Sequence, residues 1–202
     1  MEKEEESRVK DLAEKLQIGE ITPKGALKEL QKRGLIEQER WEIIPWVIYF
    51  ILWLPLNFKF SDQLPAIHFP PIIIYISLIF LVIGTYFAAW VFYSHRKRGG
   101  LRNAGETIMF YKKGLYRVMR HPGAFGAMMW PILLPIILNT YVPFTPLPVS
   151  AIIVMIVYLY IGILLEEKLS IRKWGDEYLQ YMKEVPRFNF IKGLWNLRKR
   201  KQ

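Results

Sequence analysis

The stretch PPIIIYISLIFLVIGTYFAAWVFY, residues 70–93, carries no charged side chain. At about 1.5 Å of rise per residue it is long enough to cross a bilayer core as a helix. Three further apolar blocks lie near 43–58, 123–139 and 147–165, with the polar residues between them. The chain has 202 residues, 52% of them hydrophobic, and a mean hydropathy of +0.13. Hydrophobicity gathered into blocks is the pattern of a polytopic membrane protein rather than of a soluble core. The fold class is therefore all-α, a membrane helical bundle of about four spans. Residues 1–40 read as an N-terminal amphipathic helical segment and 41–202 as the membrane domain. The first apolar block follows a long charged leader, which argues against a cleaved signal peptide.

The formal net charge is +10, and it is unevenly placed. Residues 1–43 carry 9 basic and 11 acidic groups, residues 94–122 carry 8 and 1, and residues 166–202 carry 10 and 5. The loops 59–69 and 140–146 hold only Lys59 and Asp62. Four spans bring both termini and the 94–122 loop to one side, and the positive-inside rule makes that side the cytoplasm. Basic segments beside anionic headgroups account for the charge without nucleic acid. There is no cysteine, which excludes disulfides, thiolate catalysis and cysteine metal sites. His68, His95 and His121 are too scattered for a histidine metal site, and no HExxH spacing occurs.

Local signals refine the map. Thr22 before Pro23 is a good helix start and Gly34 a good stop, with Ala26, Leu27 and Leu30 on one face between them. Pro45 and Pro55 bound the first apolar block. Pro131 and Pro135 interrupt the third, which predicts a kink. Residues 163–184 read as one helix leaving the membrane. The tail then carries Trp174, Tyr178, Tyr181, Val185, Phe188, Phe190, Ile191 and Trp195, an aromatic density suited to the interface.

Two motifs stand at membrane-helix ends that share a side. Glu166 and Glu167 directly follow the fourth block, and Arg120-His121-Pro122 directly precedes the third. Charge at a bilayer edge is costly unless it is paired, solvated or used. Adjacent helical residues point about 100° apart, so the two glutamates cannot face one ligand equally. One can hold an amine or ribose hydroxyls while the other pairs with arginine or backbone. Pro122 fits a first helical turn, His121 its entrance, and the helix N-terminus offers free N–H groups. Gly123 and Gly126 leave room for a close approach. Gly114 and Tyr116 would form a turn with an aromatic wall. A helix-end cap for the glutamates and an interfacial role for the histidine are the plainer alternatives.

The ordered set resembles the isoprenylcysteine carboxyl methyltransferase and phospholipid methyltransferase superfamily of integral membrane enzymes. Gly114, Tyr116, Arg120, His121, Pro122 and Gly126 match its first block, and Glu166-Glu167 its second. Trp174-Gly175-Asp176-Glu177-Tyr178, Tyr181 and Val185-Pro186 match its third. The likeness covers residues 114–193, and Phe190-Ile191-Lys192-Gly193 points to the isoprenylcysteine branch. Ala124 stands where the family has Tyr, and Leu115 where it has Pro. The resemblance implies S-adenosylmethionine as methyl donor, in a pocket capped by the cytoplasmic C-terminal tail. Cofactor contacts are then expected from Gly114, Tyr116, Arg120, His121, Pro122, Gly126, Glu166, Glu167, Tyr178 and Tyr181. Arg120, Arg187 and Glu167 would act at the reacting end, with Arg187 orienting the acceptor. The implied acceptor is a lipophilic or prenylated molecule ending in a carboxylate. A phospholipid amine is the enzymatic alternative and would need a base, from Glu166, Glu167 or His121. A non-enzymatic membrane interaction protein explains the topology but not the joint placement of three motif blocks.

Overall fold

The computed structural model describes residues 2–35, 43–97 and 111–199. The boundary near residue 40, the basic residues Arg98 and Arg102, and the terminal Arg200 and Lys201 lie outside the described residues. Eight α-helices follow in order: α1 Glu2–Gln17, α2 Pro23–Lys32, α3 Ile43–Ile51, α4 Asn57–Phe60, α5 Pro71–Lys97, α6 Pro122–Ile137, α7 Pro146–Glu184 and α8 Phe190–Lys199. No strand occurs among the described residues, only an isolated antiparallel bridge between Ile67 and Phe144. Among the described residues, three helical stretches are long and apolar enough to cross a membrane: Ile43–Phe60, Pro71–Ser94 and Pro146–Glu184. The third apolar block forms the shorter α6, of 16 residues. The chain is an all-helical membrane bundle.

It divides into two compact units. One comprises Met1–Gln38, Trp90–Pro122 and Ile163–Gln202; the other comprises Glu39–Ala89 and Gly123–Gly162. In the first, α1 and α2 pair through Val9, Leu12, Ala26, Leu30 and Leu35. Thr22 caps α2 by accepting from the Gly25 N–H at 3.2 Å, and Gly34 ends it at φ 63°. The Arg172 guanidinium on α7 donates to the Gly34 carbonyl at 3.4 Å.

In the second unit Pro55 does not bound its helix as the sequence suggests. Pro55 sits inside a π-helical turn, Leu52–Leu56, so the helix runs on to Phe60. A wider turn is a common way to absorb a residue that cannot donate. Likewise α6 continues across Pro131 and Pro135. Pro135 lacks the N–H that would bond the Pro131 carbonyl, and the Tyr49 hydroxyl donates to that carbonyl instead, at 3.0 Å. Helices α5 and α6 cross where Gly126 meets the Gly84 carbonyl and Ala88, a contact that any Cβ at Gly126 would block. The Phe87 and Phe125 rings lie 5.8 Å apart beside it. A buried polar knot ties the loops of this unit. Asn57 donates to the Pro143 carbonyl at 2.6 Å and accepts from the Thr145 hydroxyl at 2.6 Å, and Asn139 accepts from the Phe69 N–H at 3.3 Å.

Candidate functional site

The site lies wholly in the first unit. A short 3₁₀ turn, Gly114–Arg117, opens it. Gly114 adopts φ 61°, and a Cβ there would overlap the Trp90 indole, so both its backbone and its lack of a side chain are used. The Tyr116 ring lies 6.1 Å from Trp90 and 5.7 Å from Tyr111. Its carbonyl accepts from the Tyr181 hydroxyl at 2.7 Å, which binds the turn to the last third of α7.

Arg120-His121-Pro122 follows. The backbone N–H groups of Arg120 and His121 donate to the carbonyls of Pro186 and Arg187, at 3.0 and 3.4 Å. The two segments therefore lie side by side like a short ladder. This brings Arg187 to the foot of α6 even though it lies 67 positions beyond Arg120 in sequence. Buried Pro122 starts α6, as its fixed φ and missing donor favour.

Glu167 is the hub. Its side chain is 5% exposed. Oε1 accepts from Arg120 Nη2 at 3.0 Å, from His121 Nε2 at 3.1 Å and from Arg187 Nε at 3.1 Å. Oε2 accepts from Arg187 Nη2 at 2.5 Å, so Arg187 grips the carboxylate with two parallel bonds. The other nitrogen of His121, Nδ1, faces Glu166 Oε2 at 3.3 Å. One imidazole thus lies between both glutamates and uses their divergence: each carboxylate takes one ring edge. Both ring nitrogens meet carboxylate oxygens, an arrangement that favours the imidazolium form. Burial lowers its pKa, but hydrogen bonds to Glu166 and Glu167 more than offset this, and it is raised to about 9.

Arg120 is held further by Nη1 donating to the Met182 carbonyl at 3.0 Å. Its Nε, fully buried, meets no acceptor among the described residues, and such a donor is costly to bury. Trp174, Tyr178 and Tyr181 on the last part of α7 form a buried stripe with Val185 just beyond it, the Tyr178 ring lying 6.1 Å from Trp174 and 5.9 Å from Tyr181. The helix turns at Gly175, whose φ 50° and ψ −131° are non-helical, within the Trp174-Gly175 step.

Of the sequence-derived candidates, Arg120, His121, Glu166, Glu167 and Arg187 form one ion-paired cluster. Gly114, Tyr116, Tyr178 and Tyr181 build the wall of the same unit. Gly126 belongs to the other unit, where its close approach is taken up by α5. Arg187, read from sequence as an acceptor-orienting group, is engaged by Glu167. Sequence reasoning passed over Lys173 and Ser170, 1% and 3% exposed. Lys173 Nζ lies 4.9 Å from the centre of the Trp174 ring. The available signal was spacing: Lys173 is seven residues after Glu166, two helical turns along the same face.

The chain belongs to the family described as protein of unknown function (DUF1295), which matches residues 40–185. No curated protein and no solved structure matches it. The matched span takes in every cluster member except Arg187.

Proposed function

We propose that this DUF1295 protein is an integral membrane methyltransferase of the isoprenylcysteine carboxyl methyltransferase kind. It would use S-adenosylmethionine and a lipophilic acceptor that ends in a carboxylate. The observation that carries the reading is the hub at Glu167. Three stretches separated in sequence, Arg120-His121, Glu166-Glu167 and Val185-Pro186-Arg187, meet on one buried carboxylate. They are the blocks on which the resemblance rests.

The donor set fits the cofactor. Glu166 and Glu167 suit an amine or ribose hydroxyls, Arg120 suits a carboxylate, and Trp174, Tyr178 and Tyr116 offer aromatic faces for a base or a cation. Here the cations and carboxylates satisfy one another, and Arg120 Nε remains as an unmatched donor. A zwitterion can enter such a cluster partner for partner, its amine replacing a cation on glutamate and its carboxylate replacing glutamate on arginine. When bound, S-adenosylmethionine supplies an activated methyl group for in-line displacement. The protein's part is then positioning and exclusion of water.

A carboxylate acceptor arrives already deprotonated and needs no base; an amine acceptor would need one, and with His121 held as an imidazolium that base would be Glu166 or Glu167. The 94–122 loop and the C-terminal tail are basic, and four spans would bring the N-terminus to the same side; this reading makes that side the cytoplasm and the donor's side.

Calorimetric titration of the purified full-length protein with S-adenosylhomocysteine tests the reading. Saturable binding is expected, with a loss of at least about tenfold in Glu167→Gln, since truncating a buried charge pair typically costs roughly 2–5 kcal/mol. No binding of either S-adenosyl compound to the wild-type protein would overturn it. If turnover is found, an alkali-labile methyl product identifies an ester and an alkali-stable one identifies an amine.

A further inference from the structure

Helix α8, Phe190–Lys199, presents two opposed faces. The inner one is fixed to the protein. Gly193 lies so close to the Val118 carbonyl that any Cβ would overlap it. Asn196 donates to the Glu184 carbonyl at 2.9 Å. Asn189 caps the helix, accepting from the Lys192 N–H at 2.9 Å. These contacts set the rotation of the helix about its axis, and that rotation determines what faces outward.

Ile191, Leu194, Trp195 and Arg198 recur at the i, i+3, i+4 and i+7 positions of the outer face. Ile191 is 81% exposed, Trp195 60% and Leu194 45%. A bulky apolar stripe is thus held away from the core by the helix's own inner contacts. Cations surround it: Arg198 lies within the stripe, and Lys192 and Lys199 along one edge, with Lys199 Nζ 5.6 Å from the Trp195 ring centre. The helix contains no acidic residue. An apolar stripe with a tryptophan, bordered by lysine and arginine, is the composition of a helix that lies in a bilayer interface.

We propose that the outer face of α8 docks on an anionic lipid surface. The charge selects this occupant. A second copy of the same face would bring three cations against three cations, whereas acidic headgroups complement them. Each basic side chain near such a surface improves partition by about fivefold, so the three together contribute on the order of a hundredfold. The inference goes beyond methyl transfer and does not depend on it. It does bear on the site, because α8 begins three residues after Arg187 and its Asn196 holds the Glu184 carbonyl three residues before it.

The cysteine-free chain allows a direct test. Full-length protein carrying Ile191→Cys or Trp195→Cys is spin-labelled and reconstituted in vesicles of phosphatidylcholine alone or with phosphatidylglycerol. Collision with oxygen and with a water-soluble nickel chelate is then measured. In the anionic vesicles both labels are expected to be oxygen-accessible and shielded from nickel. Shielding is expected to weaken severalfold in neutral vesicles, in high salt and in the triple variant Lys192→Glu/Arg198→Glu/Lys199→Glu. Labels that remain nickel-accessible in anionic vesicles would overturn the proposal. So would shielding indifferent to lipid charge, or shielding that grows only with the protein-to-lipid ratio, which would mark a second copy as the occupant. The label readout on the wild-type charge background stands even if the triple variant fails to fold.

Discussion

Each compact unit of this molecule buries a polar network, and the two networks are built from opposite materials. Around Asn57, Thr145 and Asn139 the groups are neutral, short and closed on themselves and on nearby carbonyls. Around Glu167 they are ionised, five side chains deep, with Arg120 Nε left over. The buried indole N–H of Trp53 also lacks a partner, but it is neutral and costs less to leave so. Tying loops together needs only the first kind of network. Burying ions costs several kcal/mol each before any attraction is counted, and apolar replacements often hold a fold better. That one unit is secured with amides and hydroxyls while the other holds two arginines, two glutamates and a histidine supports the proposal that the second set serves binding.

The sharpest way to break this comparison is to cut both hubs. Glu167→Ala strands Arg120, Arg187 and His121, and should cost about 3–5 kcal/mol of stability as a severed buried ion cluster. Asn57→Ala should cost about 1–3 kcal/mol, the range for a buried neutral group left unpaired. Denaturant titration in detergent gives both numbers. Binding of S-adenosylhomocysteine separates the roles: Asn57→Ala should retain it whenever the protein is folded. A folded Asn57→Ala protein that has lost binding would erase the functional distinction between the two networks.

A smaller effect separates them by pH. His121 has its pKa raised from 6.5 to about 9. A raised pKa means that protonation favours the folded state. The stabilisation is therefore full below about 6.5 and is lost as pH rises through about 9. The integrated loss is on the order of 3 kcal/mol. The Asn57 network has no titrating group and should not respond. The unfolding midpoint of the wild-type protein should fall across this window, while that of His121→Gln should fall much less. Parallel profiles for the two would show that His121 is not held as an imidazolium.

Much of this was legible in the sequence because the relevant rules are local. Apolar block length gave the helices, Thr22-Pro23 and Gly34 bounded α2, and adjacency to its block put His121 at the start of α6; Glu166 and Glu167, read as a helix end, instead lie within α7, which runs on to Glu184. What was not legible depends on long-range register. Nothing in the order of residues says that the N–H groups of Arg120 and His121 will bond the carbonyls of Pro186 and Arg187, so the pairing of Arg187 with Glu167 was not foreseen. Gly126 was open for the same reason: a glycine that admits a ligand and one that admits a neighbouring helix look alike until Gly84 is seen against it. The same holds for the prolines: Pro55 was read as a bound of its block, and no local rule says that a distant group, the Tyr49 hydroxyl, will meet the carbonyl that Pro135 leaves without a donor.

That last point carries the smallest and most specific prediction. If the Tyr49 hydroxyl serves α6 by meeting the Pro131 carbonyl that Pro135 leaves without a donor, Tyr49→Phe removes one oxygen and one hydrogen bond. It should lower stability by about 0.5–1.5 kcal/mol and leave binding at the charged site unchanged. The packing of the ring against Trp46, Phe50 and Trp53 survives the change, so a loss measures the hydroxyl. Pro135→Ala supplies the control, because it restores the N–H that the carbonyl lacks. In that background the helix meets its own carbonyl, and adding Tyr49→Phe should cost close to nothing. The double-mutant cycle then yields a coupling energy about as large as the single Tyr49→Phe loss. Equal losses in the two backgrounds would mean that Tyr49 stabilises this unit by some route other than completing α6.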